Sequence, residues 1–341
     1  TTYSTSNTGA TNVLLTAADG NWSVATGALG TDLGNNIKYA GALTITGITG
    51  NTNETNALTD YTTAKTGAGT NTLTASDTNW SVAATTLDTA LAAGVLFAGN
   101  LTVTGISTET GASTTYSTTK TGANVVILTA SDGNWSVTAS DLVTDIGANI
   151  KYAGNLTVTS ITTETDVSTT YSTTATGASQ VTLIASDGDW SVSASDLTTD
   201  ISDGLKYTGN LTVTGITSGN EATASATYSA GSTTGASNVT LTASDGNWSL
   251  TNGVLDTDLG NSIKYAGNLT VTGITNESGA LTDYTTAKTG ATMNALTASD
   301  TNWSVVAADL TTALAAGVHL KGDLTVTGIT NESAALTDYT T

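Results

Sequence analysis

Aspartate recurs once in each of six segments of this chain, in turns of the kind Ser131-Asp132-Gly133-Asn134. Carboxylate and amide oxygens are the ligands that calcium prefers, and stacked turns would bring them together. Calcium is therefore the one cofactor that these residues suggest. In the alternative interpretation, which the residue types favour, each aspartate accepts a hydrogen bond within its own turn. The candidate ligands are Asp19, Asp77, Asp132, Asp187, Asp245 and Asp300. A second acidic series comprises Glu54, Glu109, Glu164, Glu221, Glu277 and Glu332.

Threonine alternates with apolar residues in segments such as Leu101-Thr102-Val103-Thr104. Alternate residues of a strand share one face, so these threonines form an exposed ladder. A regular threonine array could order water and bind ice. The alternative is that threonine is simply a favourable residue on the exposed face of a strand. The ladder comprises Thr44, Thr46, Thr102, Thr104, Thr157, Thr159, Thr212, Thr214, Thr270, Thr272, Thr325 and Thr327.

Tryptophan follows each acidic turn. A row of exposed indole rings could stack on sugars, but a tryptophan placed just before an amphipathic segment more often packs into the core. We predict the core role, and the same role for the tyrosines that recur further along. The residues are Trp22, Trp80, Trp135, Trp190, Trp248 and Trp303, with Tyr39, Tyr152, Tyr207 and Tyr265.

Residues suited to catalysis are scarce. His319 is the only histidine, and Leu96 and Lys151 stand at equivalent positions elsewhere. The sequence contains no nucleophile elbow, phosphate-binding loop or paired-histidine motif. Its many serines have no base nearby in the sequence. We therefore predict that the chain is not an enzyme and that His319 lies at the surface.

The composition restricts the partners. Lys plus Arg is 8 and Asp plus Glu is 28, a net charge of -20 that disfavours nucleic acid and anionic membrane surfaces. The chain has no cysteine, which excludes disulfides and thiolate metal sites. No apolar run reaches the roughly 18 residues that a membrane-spanning helix needs, so we expect no membrane insertion. Glycans are candidate partners because Asn-x-Ser/Thr sequons occur at Asn21, Asn100, Asn134, Asn155, Asn210, Asn247, Asn268 and Asn276.

The elements that must position these residues form a tandem repeat. Successive tryptophans are 58, 55, 55, 58 and 55 residues apart, which gives six repeats. Each repeat contains two leucine-centred rungs of about 28 residues, as expected of a stacked solenoid. We call them the Trp rung, typified by Leu128 to Trp135, and the Gly-Ile rung, typified by Leu101 to Ile106.

Periodicity predicts the secondary structure of each rung. Leu101 to Ile106 alternates with period two and predicts a strand. Asp141 to Ile150 has apolar residues four apart and predicts a helix, with Ser140 or Asp141 as its N-cap and Gly154 as a stop signal. In the Gly-Ile rung, residues 280–290 could form two helical turns. Residues 113–119, which are rich in threonine, leave 3₁₀, irregular and extended structure open.

These rungs predict an α/β solenoid, similar to leucine-rich repeats, with a parallel β-sheet on one face and short helices on the other. The alternative is an all-β solenoid with extended return segments. Residues 1–341 would form a single continuous solenoid, either a section of a longer chain or a filament subunit. The first residues, 1–5, and the last, 336–341, have the same phase in the repeat, so we expect self-association end to end.

Three motifs carry a resemblance: Leu-Thr-Val-Thr-Gly-Ile-Thr, Ala-Ser-Asp-Gly-Asn-Trp-Ser-Val and Asp-Leu-Thr-Thr-Asp-Ile. Together they are similar to tandem repeats of giant secreted surface proteins of bacteria, including cyanobacteria. That resemblance implies an extracellular or cell-surface protein that forms or contributes to a filament, matrix, layer or adhesin stalk. The calcium-binding nonapeptide Gly-Gly-x-Gly-x-Asp does not occur. The alternative function is a binding module for ice, calcium or glycan, which would use the threonine ladder or the acidic turns.

Overall fold

The computed structural model describes residues 3–217 and 220–331. Its twelve strands form one parallel sheet in which the strands follow one another in sequence order. Short helices connect each strand to the next. The predicted α/β solenoid is therefore the observed fold. The all-β alternative is wrong, because the connections are helical.

The strands alternate between the two rung types. Those of the Trp rungs are β1 Val13–Ala25, β3 Thr70–Ala83, β5 Val125–Thr138, β7 Gln180–Ser193, β9 Asn238–Thr251 and β11 Met293–Val306. Those of the Gly-Ile rungs are β2 Ile37–Ile48, β4 Val95–Ile106, β6 Ile150–Ile161, β8 Leu205–Ile216, β10 Ile263–Ile274 and β12 Val318–Thr327.

The helices also have two settings. One helix follows each Trp-rung strand: α2 Thr26–Gly34, α5 Ala84–Ala92, α8 Ala139–Gly147, α11 Ala194–Ser202, α13 Asn252–Gly260 and α16 Ala307–Ala315. Shorter helices precede β1 or follow the Gly-Ile strands: α1 Thr5–Thr8, α3 Asn51–Asp60, α4 Thr63–Thr66, α6 Ala112–Thr115, α7 Thr118–Thr121, α9 Val167–Tyr171, α10 Thr173–Thr176, α12 Glu221–Thr227, α14 Glu277–Asp283 and α15 Thr286–Thr289. None of the described helices is long and apolar enough to cross a membrane.

The chain is divided into two compact units. The first comprises Thr1–Val158 with Thr170–Val181, and the second comprises Thr159–Thr169 with Thr182–Thr341. Strands β1 to β5 lie in the first unit and β8 to β12 in the second, and both units have the same alternation of rungs. That all 341 residues form a single continuous solenoid stays a prediction.

The Gly-Ile strands follow the predicted alternation. Leu101 and Val103 are fully buried, whereas Thr102 and Thr104 are only half-buried on the opposite face. Burial of each apolar side chain contributes about 2 kcal/mol to the free energy of folding. Because the pattern recurs in β2, β4, β6, β8 and β10, each of these strands contributes a pair of buried aliphatic side chains to the core on one face of the sheet.

The Trp strands continue through the acidic turns. β5 passes through the turn at Asp132 and includes Trp135. At this turn the register shifts: the five steps from Thr74 to Asn79 in β3 lie opposite the two steps from Ala98 to Asn100 in β4. The turn is thus a large bulge, which interrupts the pairing without ending the strand.

The bulge divides each Trp strand into two parts with different neighbours. In β3, residues 70–75 pair with both β2 and β4, whereas residues 79–83 pair only with β4. β9 and β11 show the same arrangement. Alignment on the leucines therefore gives the wrong neighbours. Leu73 lies opposite Ile45 and Phe97, and Leu101 lies opposite Trp80 and Val126.

Glycine is required where the two strand types approach most closely. A Cβ on Gly154 would lie 2.3 Å from the carbonyl oxygen of Gly133 in the neighbouring turn, and Gly154 has φ of 101°. Contacts of 2.1–2.3 Å would arise at the equivalent glycines of all six Gly-Ile strands. Gly154 therefore permits a close approach of backbones inside β6. Its predicted role as a helix stop is wrong.

The Trp-rung helix is displaced from its predicted position. α8 spans Ala139–Gly147, and Thr138, not Ser140 or Asp141, is the N-cap, accepting a hydrogen bond from the Asp141 amide. The helix ends because Asn149 adopts φ of 58°. Ile150, four residues beyond Ile146, already belongs to β6. Ile146 is half-buried and Ile150 is buried, so their spacing imitates the apolar face of a longer helix.

The return segments of the Gly-Ile rungs are helical, including the threonine-rich one. Residues 113–119 fall in α6 and α7, and residues 280–290 fall largely in α14 and α15. α7 is held by capping bonds: the Lys120 amide donates to the Ser117 hydroxyl, and the Gly122 amide donates to the Thr118 carbonyl. Capping thus compensates for the poor helix propensity of threonine.

The acidic turns contain a strained residue in two repeats. Thr78 and Thr301 have φ of 62° and 64°, where the other four repeats have glycine. A β-branched residue in the left-handed region costs about 1–2 kcal/mol.

We expect Thr78→Gly and Thr301→Gly each to stabilise the fold by about 1 kcal/mol, after the entropic cost of glycine is deducted. Denaturant midpoints would measure the gain. Gly133→Thr is the matched reverse change and should lower the midpoint; a rise would contradict the argument.

Candidate functional site

The six predicted aspartates all stabilise their own turns. In each case Asp Oδ1 accepts a hydrogen bond from the backbone N–H two residues later, at 3.0–3.2 Å. In five of the turns the asparagine at that position also donates its side-chain amide to the aspartate carbonyl. This is the Asx-turn role that the residue types favour. The carboxylates remain exposed.

The acidic turns do not converge on a common point. Within residues 3–217 and 220–331 no group of three or more His, Asp or Glu side chains is arranged to hold a metal ion. Each such turn is instead linked to the next Gly-Ile strand, as where Asn155 Nδ2 in β6 donates to Asn134 Oδ1 at 3.2 Å. Calcium binding by the turns therefore stays a prediction.

The glutamates have a role that their sequence position does not reveal. The Ser304 amide, on the unpaired side of β11, donates to Glu277 Oε2 at 2.9 Å. The equivalent bonds join Ser136 to Glu109 at 3.1 Å and Ser191 to Glu164 at 2.8 Å. Each carboxylate thus satisfies a free N–H at a strand edge, which also hinders pairing with another strand. Glu332 and the side chain of Glu221 lie outside the described residues.

The threonine ladder lies on the face of the sheet opposite the buried leucines and valines. Its members are half-buried in β2, β4, β6, β8 and β10 and exposed in β12. The residues that lie beside each threonine on the neighbouring strands differ from those expected when the rungs are aligned on their leucines. Thr102 lies opposite Ser81 and Ile127, and Thr270 lies opposite Ser249 and Ala295. Aliphatic residues therefore interrupt the array, and ice binding stays a prediction.

Tryptophan belongs to the core, as predicted. Trp135 is 2 % exposed, its Nε1 donates to the Ala153 carbonyl at 3.1 Å, and its ring packs edge-on against Tyr152 at 5.0 Å between centroids. Trp80, Trp190, Trp248 and Trp303 are equally buried, whereas Trp22 in β1 is half-buried. The five buried rings cannot stack on a sugar.

A buried carboxylate–phenol pair was not predicted from the sequence. Asp145 in α8 accepts a hydrogen bond from the hydroxyl of Tyr152 in β6, and both side chains are buried. The equivalent pairs are Asp32 with Tyr39, Asp200 with Tyr207 and Asp258 with Tyr265. Burial, followed by the hydrogen bond from the phenol to the carboxylate, raises the pKa of each of these tyrosines well above its ordinary value.

Comparison of the repeats reveals the signal that would have identified these pairs. Where the pair has a preceding Gly-Ile rung, that rung supplies a serine: Ser113, Ser168 or Ser225. In the second repeat the corresponding residues are Ala90, Phe97 and Leu58, and in the sixth they are Ala313, Leu320 and Leu281. The residues at these three positions are thus either all polar (aspartate, tyrosine and serine) or all apolar. The polar set and the apolar set are two alternative ways of filling the same contact between rungs.

The remaining candidates are at the surface. His319 is exposed in β12, opposite Ala295, as predicted. The eight sequon asparagines are all exposed as well. Several of their side-chain amides already donate hydrogen bonds, either within an acidic turn or from a Gly-Ile strand to the preceding acidic turn.

Comparison with known proteins adds nothing to this geometry: no family model matches the chain, and no curated protein or solved structure matches it significantly.

The tyrosine pairs predict loss of stability in alkali. Each phenol stays protonated in the folded chain but ionises near pH 10 when unfolded, so its contribution is intact below pH 10 and falls as the pH rises further. Above pH 10, each pair should therefore lower the free energy of unfolding by about 1.4 kcal/mol per pH unit. Denaturant midpoints between pH 8 and pH 11 would measure this slope. The control is the double change Asp200→Ala with Tyr207→Phe, which should reduce it; an unchanged slope would contradict the assignment.

Introducing aspartate, tyrosine and serine at Ala90, Phe97 and Leu58 of the second repeat tests whether these three positions are energetically coupled. Phe97→Tyr alone should destabilise by about 1–3 kcal/mol, because its hydroxyl would be buried against Ala90 without a partner. Adding Ala90→Asp and Leu58→Ser should recover about 1 kcal/mol or more. A cycle of unfolding free energies measures the coupling. Additive losses across the three substitutions would refute it.

Proposed function

We propose that this chain is an extracellular structural repeat protein that forms or contributes to a surface filament, matrix, layer or adhesin stalk, and that its copies associate end to end. The observation that carries the proposal is the apolar edge at each end of the sheet. The proposal assigns the chain no catalytic role: His319 is exposed, and the described carboxylates bond chiefly to backbone amides or phenols.

The rung contacts suit a load-bearing role. Strands β1, β3, β9 and β11 are each paired with the next Gly-Ile strand on both sides of the bulge. The indole of Trp80 adds a hydrogen bond to the Ala98 carbonyl across the same boundary. Stability in such an array is a sum of contacts between neighbours, so added rungs extend the array without a new core.

Within residues 3–217 and 220–331, no strand pairs with the outer edge of β12, and apolar side chains lie along that edge. Leu324 is 42 % exposed and Ile329 is 40 % exposed. Their equivalents in β10, Leu269 and Ile274, are 1 % and 2 % exposed because β11 covers them. A further strand next to β12 would therefore bury apolar surface that is now in water.

The opposite edge has the complementary form. In β1, Leu15 and Trp22 are half-buried, whereas their equivalents Leu73 and Trp80 in β3 are at most 2 % exposed. Applied to a second copy, the register of β10 with β11 would place Leu324 opposite Val13 and Val326 opposite Leu15. The strand that fits β12 is thus β1 of another copy.

Location outside the cell is supported by composition and surface. Disulfide-free, strongly acidic chains with exposed sequons suit a secreted surface protein, in line with the resemblance of the repeat motifs to such proteins. The net charge of -20 keeps laterally adjacent copies apart. Association would therefore favour the two apolar edges over the charged faces.

Sedimentation velocity of the 341-residue chain tests the proposal. We expect species larger than the monomer to grow with protein concentration, and electron microscopy to show particles that lengthen in one direction. Leu324→Lys should suppress this growth, because the ammonium group would be buried at the junction.

The matched control is His319→Lys in the same strand. His319 lies in the part of β12 whose equivalents in β10 pair only with the preceding strand, so this change leaves the junction intact. Circular dichroism would confirm that both variants are folded. A chain that stays monomeric at all concentrations, or a Leu324→Lys variant that assembles like the unaltered chain, would refute end-to-end association.

A further inference from the structure

A groove in the second unit carries more negative charge than its hydrogen-bond donors can satisfy. It lies between the loop that follows β6 and the end of β7 with the start of α11, and has a volume of about 220 Å³. Its lining includes Glu164, Asp166, Asp196 and Asp200, together with the hydroxyls of Ser168 and Ser193. No lysine or arginine lines it.

Three of the four carboxylates have an assigned internal donor. Glu164 Oε2 accepts from the Ser191 amide at 2.8 Å, and Asp196 Oδ2 accepts from the Ser193 hydroxyl at 2.7 Å. Asp200 Oδ2 accepts from the Tyr207 hydroxyl. Internal hydrogen bonds therefore hold these three carboxylates in place, each through one of its two oxygens.

The other oxygen of Asp200 points to a missing ligand. Asp200 is 1 % exposed, and its Oδ1 is the one buried side-chain polar atom in the described residues that accepts no hydrogen bond of acceptable geometry, although the nearby Ser168 hydroxyl acts to lower the pKa of this carboxyl. Leaving a buried carboxylate oxygen without a partner is costly. Because Asp200 lines the groove, a cation held there would satisfy this oxygen.

The charge around the groove favours a cation. Four carboxylates line the same small volume. A divalent cation would neutralise this charge.

We propose that this groove binds a hydrated divalent cation of the calcium class, with Asp200 as its inner anchor and Glu164, Asp166 and Asp196 around it. No three carboxylates among the described residues converge closely enough to chelate an ion directly. The outer carboxylates therefore act through bound water, which calcium accepts readily because it takes six to eight oxygen ligands in flexible geometry. This site is separate from the acidic turns and independent of end-to-end association.

The other repeats provide internal controls, because they retain the fold with fewer acids. Gly111 stands where the fourth repeat's groove has Asp166. In the fifth repeat Asp258 keeps its bond to Tyr265, but Val254 stands at the position of Asp196. The full set of four acids occurs only around α11.

Terbium binding followed by its sensitised emission tests the proposal, because the Trp190 and Tyr207 rings lie 4.8 Å apart beside the groove and can transfer energy to the ion. We expect saturable terbium binding to the unaltered chain that calcium reverses. Asp200→Asn should weaken it roughly tenfold or more. Asp196→Asn and Asp166→Asn change exposed side chains, so they should weaken it without disturbing the core. Calcium should also raise the melting temperature of the unaltered chain but not that of Asp196→Asn.

Two control variants separate this groove from other acidic positions. Asp258→Asn alters the equivalent buried pair of the fifth repeat, and Asp187→Asn alters the acidic turn of the fourth; neither should change terbium affinity. Absence of saturable binding would overturn the proposal. Binding that is lost with Asp187→Asn and retained with Asp200→Asn and Asp196→Asn would also overturn it, and would assign the ion to the turns.

Discussion

The close approach between each Gly-Ile strand and the acidic turn of the preceding Trp strand constrains everything else in the repeat. At Gly154 the neighbouring carbonyl oxygen leaves no space for a Cβ, so register is fixed at this point in every repeat. The turn must then keep one shape, which Asp132 secures by accepting the Asn134 amide. The indole of Trp135 is in turn placed below the Ala153 carbonyl, next to that glycine. Glycine, aspartate and tryptophan therefore serve one structural contact, and their recurrence needs no separate function for the acidic turns.

The rung period, the strand type and the buried tryptophans could be read from the sequence because they depend on local alternation and spacing. The pairing of the strands could not. Residues 75–78 form a bulge that shifts the second part of β3 relative to β4, so equal leucine spacing does not mean that leucines face one another. The end of α8 was missed for a similar reason. Ile146 is half-buried and Ile150 buried, but Asn149 turns the chain between them, and a left-handed asparagine does not alter the hydrophobic periodicity.

The buried pairs illustrate a different limit. Within one repeat, Asp145 reads as an ordinary polar residue of an amphipathic helix, and nothing connects it to Tyr152 seven residues later. Across six repeats the chain serves as its own alignment. Wherever the aspartate becomes Ala90 or Ala313, the tyrosine loses its hydroxyl or its ring, and Leu58 or Leu281 occupies the position of the serine. The physical cause is that a buried carboxylate or phenol is tolerated only when its partner is present.

The same requirement for a partner applies to the other carboxylates of this acidic chain. A stack of like-charged rungs is stable only if its carboxylates are held by donors or remain in water. The aspartates of the turns bond to their own backbone, several glutamates bond to strand-edge amides, and the buried aspartates bond to tyrosines. The fourth repeat has more carboxylates than such donors: it has Asp166 and Asp189 where the third has Gly111 and Asn134. One buried oxygen of Asp200 also accepts no hydrogen bond. Among residues 3–217 and 220–331 such a buried acceptor occurs only at Asp200, so a cation that offsets it would be localised in the fourth repeat.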